Sequence, residues 1–391
     1  MDIPSLDVVA RDESVRRALF PVTGKRIFLS HAAVAPLPAC AAEALRWFGE
    51  KASQDQQETA EVWRRVLGTR AVAGRLLGCG EDEVALLGPT ALGLNLVADG
   101  LEWQPGDEVV YHADDYPANV YPWTKLAARG VRPVALRPDR PGEITGELVE
   151  AALTPRTRLV ALASAHFLSG FRIDTADIGR RLQSRGILFC LDGIQTLGAF
   201  PTPLEHVDFA CADSHKWMLG PLGAGVVVVK RTRFARLRPA HLGSWNVVSP
   251  NFVAQDDLEN FYEGARRYEC GSLNVPGILA MRASMEMLLH WGVEAVAARI
   301  SGLRAEAVRR LAREGWEPVW PEDLPERHAC GIATFRLGGR DPQALARRLE
   351  EARISVSIRH DRAGVPHLRV SPHVANTEED IELLARTLQA G

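Results

Sequence analysis

One lysine, one aspartate and one glutamine carry the chemistry of this chain. They fall within residues 188–230, where Asp192 closes an apolar run, Gln195 follows three residues later and Lys216 comes just after the next apolar run. If both runs are neighbouring parallel strands, their carboxyl ends open on one crevice. Lys216 is followed by Trp217, Met218, Leu219 and a glycine-rich turn over 220–225. Such surroundings desolvate the amine and lower its pKa, leaving a neutral nucleophile that can form a Schiff base. An aspartate at the adjacent strand end can hold a pyridine nitrogen protonated, and a glutamine beside it can bond a phenolic oxygen. Those are the needs of an electron-sink cofactor.

The segments DGIQ (192–195) and SHKW (214–217) resemble the class V aminotransferases. This is a branch of the fold type I pyridoxal 5'-phosphate enzymes that includes cysteine desulfurases, isopenicillin-epimerase-like proteins and kynureninases. Neither segment is specific alone; both in order on successive strand ends are. The resemblance implies that Lys216 carries pyridoxal phosphate, Asp192 meets its ring nitrogen and Gln195 its phenolic oxygen. It also places the cofactor phosphate at the turn 88–93, with the Thr90 hydroxyl and the amides of Ala91 and Leu92 as donors at a helix starting near Leu94. Tyr116, in the segment YPAN, matches the residue that stacks on the pyridine. Ser272, ending the run 266–272, matches a residue donated to the partner's phosphate, which implies a homodimer with a shared site. Arg369 matches the arginine that clamps the substrate carboxylate, and Arg359 is a second candidate. His166 ends a strand on the same edge and reads equally as structural or catalytic.

Two departures narrow the chemistry. Asp213 stands where desulfurases commonly place a phosphate-binding serine; its carboxylate repels phosphate, so it is expected in the cofactor site as the residue ordering His215 or Ser214. The stretch 359–366 contains no cysteine, whereas desulfurases carry their persulfide-forming thiol in the corresponding loop. Persulfide transfer is therefore disfavoured. The resulting preference is an aminotransferase acting on an α-amino acid, with a C–S or β-lyase second and an epimerase third. A non-catalytic scaffold with this fold is the reading from another class, and the joint presence of Lys216, Asp192 and Gln195 opposes it.

The elements that must position these residues are legible in the period of the sequence. Short apolar or β-branched runs at 83–87, 108–112, 131–136, 158–164, 187–192, 208–212 and 225–229 alternate with helical patterns such as 145–152 and 177–185. That is the signature of βαβ units. Residues 40–77 read as one or two helices, 232–274 as a loop-rich connection, 276–313 as a long helical pattern, and the tail from 331 as a small α+β module. Its last helix opens on Thr377, with Asp380 three residues on, the pattern of a capping box. The expected fold is α/β: a large domain with a mostly parallel sheet flanked by helices, plus a smaller C-terminal α+β domain. The expected division is an N-terminal segment over 1–20 packing with the small domain, a cofactor-binding domain over 21–270 and the small domain over 271–391.

Composition excludes several classes. With 391 residues, 46% hydrophobic, 24% charged and a formal charge of −3, the chain has neither a disordered composition nor a field that would recruit nucleic acid or an anionic membrane. No apolar run approaches the ~20 residues of a membrane span. No export signal opens the chain, so a cytoplasmic address is expected. The six cysteines are scattered without CxxC or CxH pairs, which argues against a metal site or a disulfide framework.

Overall fold

The computed structural model describes residues 3–248 and 257–389. Seven strands form the main sheet: β1 (Val84–Leu86), β2 (Glu108–His112), β3 (Arg132–Leu136), β4 (Thr157–Ala163), β5 (Leu188–Asp192), β6 (Phe209–Asp213) and β7 (Gly225–Val229). Their order is β1-β7-β6-β5-β4-β2-β3, and β7 alone runs against the others. Each observed strand lies within a residue or two of its expected run, because apolar side chains are needed on both faces of a sheet covered on both sides. Thus Val160, Leu162, Phe189 and Leu191 enter one core with the helices Ala60–Leu77 and Thr175–Ser184. Their strand neighbours Leu159, Ala161 and Cys190 enter a second core with Leu94, Val97 and Trp123.

Local chemistry explains the helix boundaries. Thr145 caps Gly146–Ala151 through a bond from the Leu148 amide. The expected helices over 40–77 are two, Ala39–Ala52 and Ala60–Leu77, the second capped by Thr59. The pattern over 276–313 is likewise two helices, Val275–Trp291 and Val293–Arg313, parted at Gly292, whose φ of 81° ends the first. Much of the connection 232–274 is irregular as expected, though its residues 249–256 lie outside the described residues.

The small domain is a four-stranded antiparallel sheet in which Pro366–Val370 lies between Ser357–His360 and Ala333–Arg336. Helices Pro342–Glu351 and Glu378–Gln389 cover it. The capping box is present: the Asp380 amide donates to Thr377 Oγ1 and the Thr377 amide to Asp380 Oδ2. The two domains are stitched near the N-terminus. Ile27–Phe28 pairs with Ile354–Ser355 of the small domain, the His31 amide bonds Ser371, and the Ala35 amide then bonds the carbonyl of His215. No helix among the described residues is long and apolar enough to cross a membrane.

Candidate active site

The carboxyl ends of the parallel strands, where backbone groups and loops of an α/β sheet converge, surround a cavity of about 390 Å³. Pro89, Thr90 and Ala91 follow β1, Asp115 and Tyr116 follow β2, and Ala165 and Phe167 follow β4. Asp192 ends β5, and His215 and Lys216 follow β6. Ala32, Ala33 and Val34 close one wall, and Arg359 and Arg369 arrive from the small domain. A larger cleft of about 930 Å³ opens at the other ends of the strands. Four of its charged groups are paired, Arg233 with Asp208 at 2.5 Å and Lys230 with Glu83 at 3.7 Å.

Lys216 is only 8% exposed. Burial lowers its pKa to about 8, the nearby Asp192 charge opposing and the charges of Arg369 and Arg359 adding to the shift. Its Nζ stands 5.6 Å from the centroid of the Tyr116 ring. That ring is 51% exposed and meets Phe167 edge-on at 5.6 Å, an aromatic face open to the cavity. Asp192 accepts a bond from the Ile194 amide at 3.1 Å, and burial raises its carboxyl to about 6. Gln195 has a single orientation open to it. The indole of Trp217, a donor only, donates to Gln195 Oε1 at 2.8 Å, which turns Nε2 toward the carbonyl of Ala32 at 3.3 Å.

The cavity fits a flat, anionic pyridine aldehyde. Asp192 is a buried carboxylate whose ionisation is suppressed for want of a closer cation, and a protonated ring nitrogen supplies one. Lys216 is a desolvated amine with a lowered pKa, and Tyr116 offers a ring face. The volume lies in the usual range for small-molecule sites.

Of the eleven expected site residues, nine line this cavity. Thr90, Ala91, Tyr116, Asp192, Gln195, His215, Lys216, Arg359 and Arg369 are brought together. Asp213 is not on the lining. It lies beneath, with Oδ1 bonded to the His215 ring at 2.7 Å and Oδ2 accepting from the Gly223 amide at 3.0 Å, so it orders His215. Ser272, the eleventh, is exposed in the segment ahead of Val275–Trp291 and outside the lining. The phosphate turn also needs correction. The helix begins at Thr90, four residues earlier than expected, and the Leu92 amide is taken by the Pro89 carbonyl at 2.9 Å. The Thr90 hydroxyl accepts from the Asp213 amide at 2.8 Å, which locks the turn to β6. His166 is outside the lining, and both its ring nitrogens are engaged within the fold: Nδ1 bonds Ser169 Oγ and Nε2 the carbonyl of Asp114, both at 3.0 Å.

Two residues of consequence escaped the sequence reading. Asp115 lines the cavity, bonded by Asn119 and by the Tyr116 amide; burial, then the charge of Asp192, raises its carboxyl to about 7. The strand-end rule that singled out Asp192 applies equally to Asp115. Trp217 was seen only as an apolar neighbour of Lys216, and its bond to Gln195 spans 22 residues that only the fold brings together.

Comparison with known proteins shows the family and the fold. A protein of Methanothermobacter thermautotrophicus named probable cysteine desulfurase is 27% identical over 98% of both chains. The isopenicillin N epimerase of Streptomyces clavuligerus is 30% identical over 91% of this chain and 92% of that one. An apo cysteine desulfurase structure from Thermococcus onnurineus NA1 superposes with a TM-score of 0.87 at 21% identity, over 97% of this chain and 98% of the other. With the sequence model of aminotransferase class V matching residues 27–384, the chain belongs to the class V aminotransferase family.

Proposed function

We propose that this chain is a pyridoxal 5'-phosphate enzyme that removes a sulfur or other β-substituent from an α-amino acid by elimination, with no protein thiol as acceptor. The observation that carries this is the lining of the cavity, which holds an amine, carboxyls and two guanidiniums but no cysteine. Cys190, Cys211 and Cys330 are in the core, burial pushes the thiols of Cys40 and Cys79 up to about 11, and the half-buried Cys270 lies outside the lining. Relatives named for desulfuration support a substrate of the cysteine type, and a thiol-free cavity supports release of the sulfur into solution. The aminotransferase preference drawn from the sequence gives way to this reading, because the relatives compared above are named for desulfuration and epimerisation.

Lys216, Asp192, Gln195, Tyr116, Thr90, Ala91 and His215 hold the cofactor, which supplies an electron sink for the pair left when the Cα–H bond breaks. Arg369 takes the substrate carboxylate and so sets the Cα–H bond toward Lys216. The Lys216 amine accepts the α-proton and returns it to the departing group. Asp192, buried in the site, would hold the cofactor's ring nitrogen protonated and so favour the developing negative charge. The leaving group departs with its electron pair, and water converts the released enamine into a 2-keto acid and ammonia. The reading includes a cytoplasmic homodimer in which exposed Ser272 reaches the partner's phosphate.

Mass spectrometry of a single turnover tests it, using the cofactor-loaded protein with L-cysteine, L-cystine and other amino acids and no keto-acid acceptor. Pyruvate, ammonia and released sulfur with unchanged cofactor are expected. Pyridoxamine phosphate with the matching keto acid overturns the proposal in favour of transamination, and accumulation of the D-isomer alone, resolved by chiral chromatography ahead of the spectrometer, overturns it in favour of epimerisation.

A further inference from the structure

Arg359 and Arg369 lie on adjacent antiparallel strands, with Ser357 opposite Arg369 and Arg359 opposite His367. Side chains alternate along a strand, so Arg359 and Arg369 share a face, and both line the cavity. Arg369, 1% exposed, donates through Nη1 to the carbonyl of Phe167 at 2.5 Å and through Nη2 to Ser357 Oγ at 3.4 Å. Its Nε is buried without a partner, and so is the Nε of Arg359. Neither guanidinium belongs to an ion pair among the described residues. Arg362, three positions beyond Arg359, shows the contrast: it pairs with Asp114 at 2.8 Å.

Two like charges thus face one largely apolar cavity with no carboxylate paired to either. Their mutual effect is visible in Arg369, whose pKa falls to about 9 through burial first and the charge of Arg359 next. Arg369 is buried and Arg359 half-buried; charge withdrawn from water without a counter-ion is costly and is tolerated where a ligand supplies the counter-charge. The cavity's carboxyls, Asp115 and Asp192, belong to the ends of β2 and β5, not to the arginine face. One substrate carboxylate neutralises one guanidinium and leaves the other.

We propose that Arg359 receives a second anionic group carried on the substrate's side chain, so that the site selects α-amino acids with an acidic side chain or acidic leaving group over neutral ones of equal size. The inference rests on the assignment of Arg369 to the α-carboxylate made above.

A matched pair of ligands tests it: S-carboxymethyl-L-cysteine and its uncharged amide, S-carbamoylmethyl-L-cysteine. Titrated into the cofactor-loaded protein and followed by calorimetry and by absorption of the cofactor, the acid is expected to bind at least about tenfold more tightly. In Arg359→Gln the acid loses that advantage while the amide's affinity changes less than about twofold, and Arg359→Lys retains part of the preference. Equal affinity in the unmodified protein, binding by neither ligand, or a preference that survives in Arg359→Gln overturns the inference. The unmodified protein decides by itself if a variant does not fold. Should calorimetry show binding while the cofactor spectrum stays unchanged, the proposed reaction fails, and the ratio of acid to amide still judges Arg359.

Discussion

At the scale of single residues, the site depends on burial acting in opposite senses on an amine and its neighbouring carboxyls. Lys216 is pushed down to about 8, while Asp192 and Asp115 are pushed up to about 6 and 7. Neutral amine is the form that attacks an aldehyde. The rate at which the apo-protein takes up pyridoxal phosphate is therefore expected to rise about tenfold per pH unit below 8 and to level off above it. Stopped-flow absorption between pH 6 and 9.5 reads this directly, and a rate independent of pH would show that the lysine is not the group being titrated. Lys216→Ala is expected to give no covalent adduct in the intact mass after borohydride reduction.

At the scale of elements, the helix Thr90–Gly100 owes its place to a missing side chain. A Cβ at Gly93 would stand 2.7 Å from Val227 Cγ2 and 2.8 Å from Cys211 Sγ, so only glycine lets this helix lie against β6 and β7. Its first residues, Thr90 and Ala91, are carried to the cavity by that contact. Gly93→Val is expected to destabilise the protein by about 1–3 kcal/mol through overpacking and to weaken cofactor retention along with it. Thermal melts with and without pyridoxal phosphate check both effects; an unchanged melting temperature would show that the close approach is not required.

At the scale of the molecule, the joint between domains is a tier of buried, neutral rings. The His373 ring lies 5.2 Å from that of His31 and 5.8 Å from that of Trp217. His373 Nδ1 accepts from the Val374 amide at 2.9 Å, and its Nε2 lies 3.2 Å from the Trp217 carbonyl. Burial lowers the His373 pKa to about 4 and that of His31 well below its ordinary value. An unfolded histidine takes its proton near pH 6.5. The stability due to keeping His373 neutral is thus whole above about 6.5 and is lost as pH falls toward 4. Between pH 7 and 5 the folded state should lose about 2 kcal/mol from this residue alone. Denaturant melts of the wild type and of His373→Asn at both pH values isolate the amount; a difference that does not change with pH would remove His373 from the account.

The sequence by itself determined the strands, their alternation with helices, the pairing of Asp192 with Lys216 at successive strand ends and the absence of a loop thiol. These are local properties, set by side-chain period, turn chemistry and residue type. Only the tertiary structure decided which groups meet. Asp213 turns beneath the cavity because β6 places its carboxylate against the His215 ring and the Gly223 amide. The Leu92 amide is lost to the Pro89 carbonyl because the helix begins a turn early. The Trp217 bond to Gln195 and the shared face of Arg359 and Arg369 arise from contacts across 22 and 10 residues respectively. Such contacts depend on strand register and domain packing, and no local pattern in the chain encodes the direction in which a side chain will find its partner.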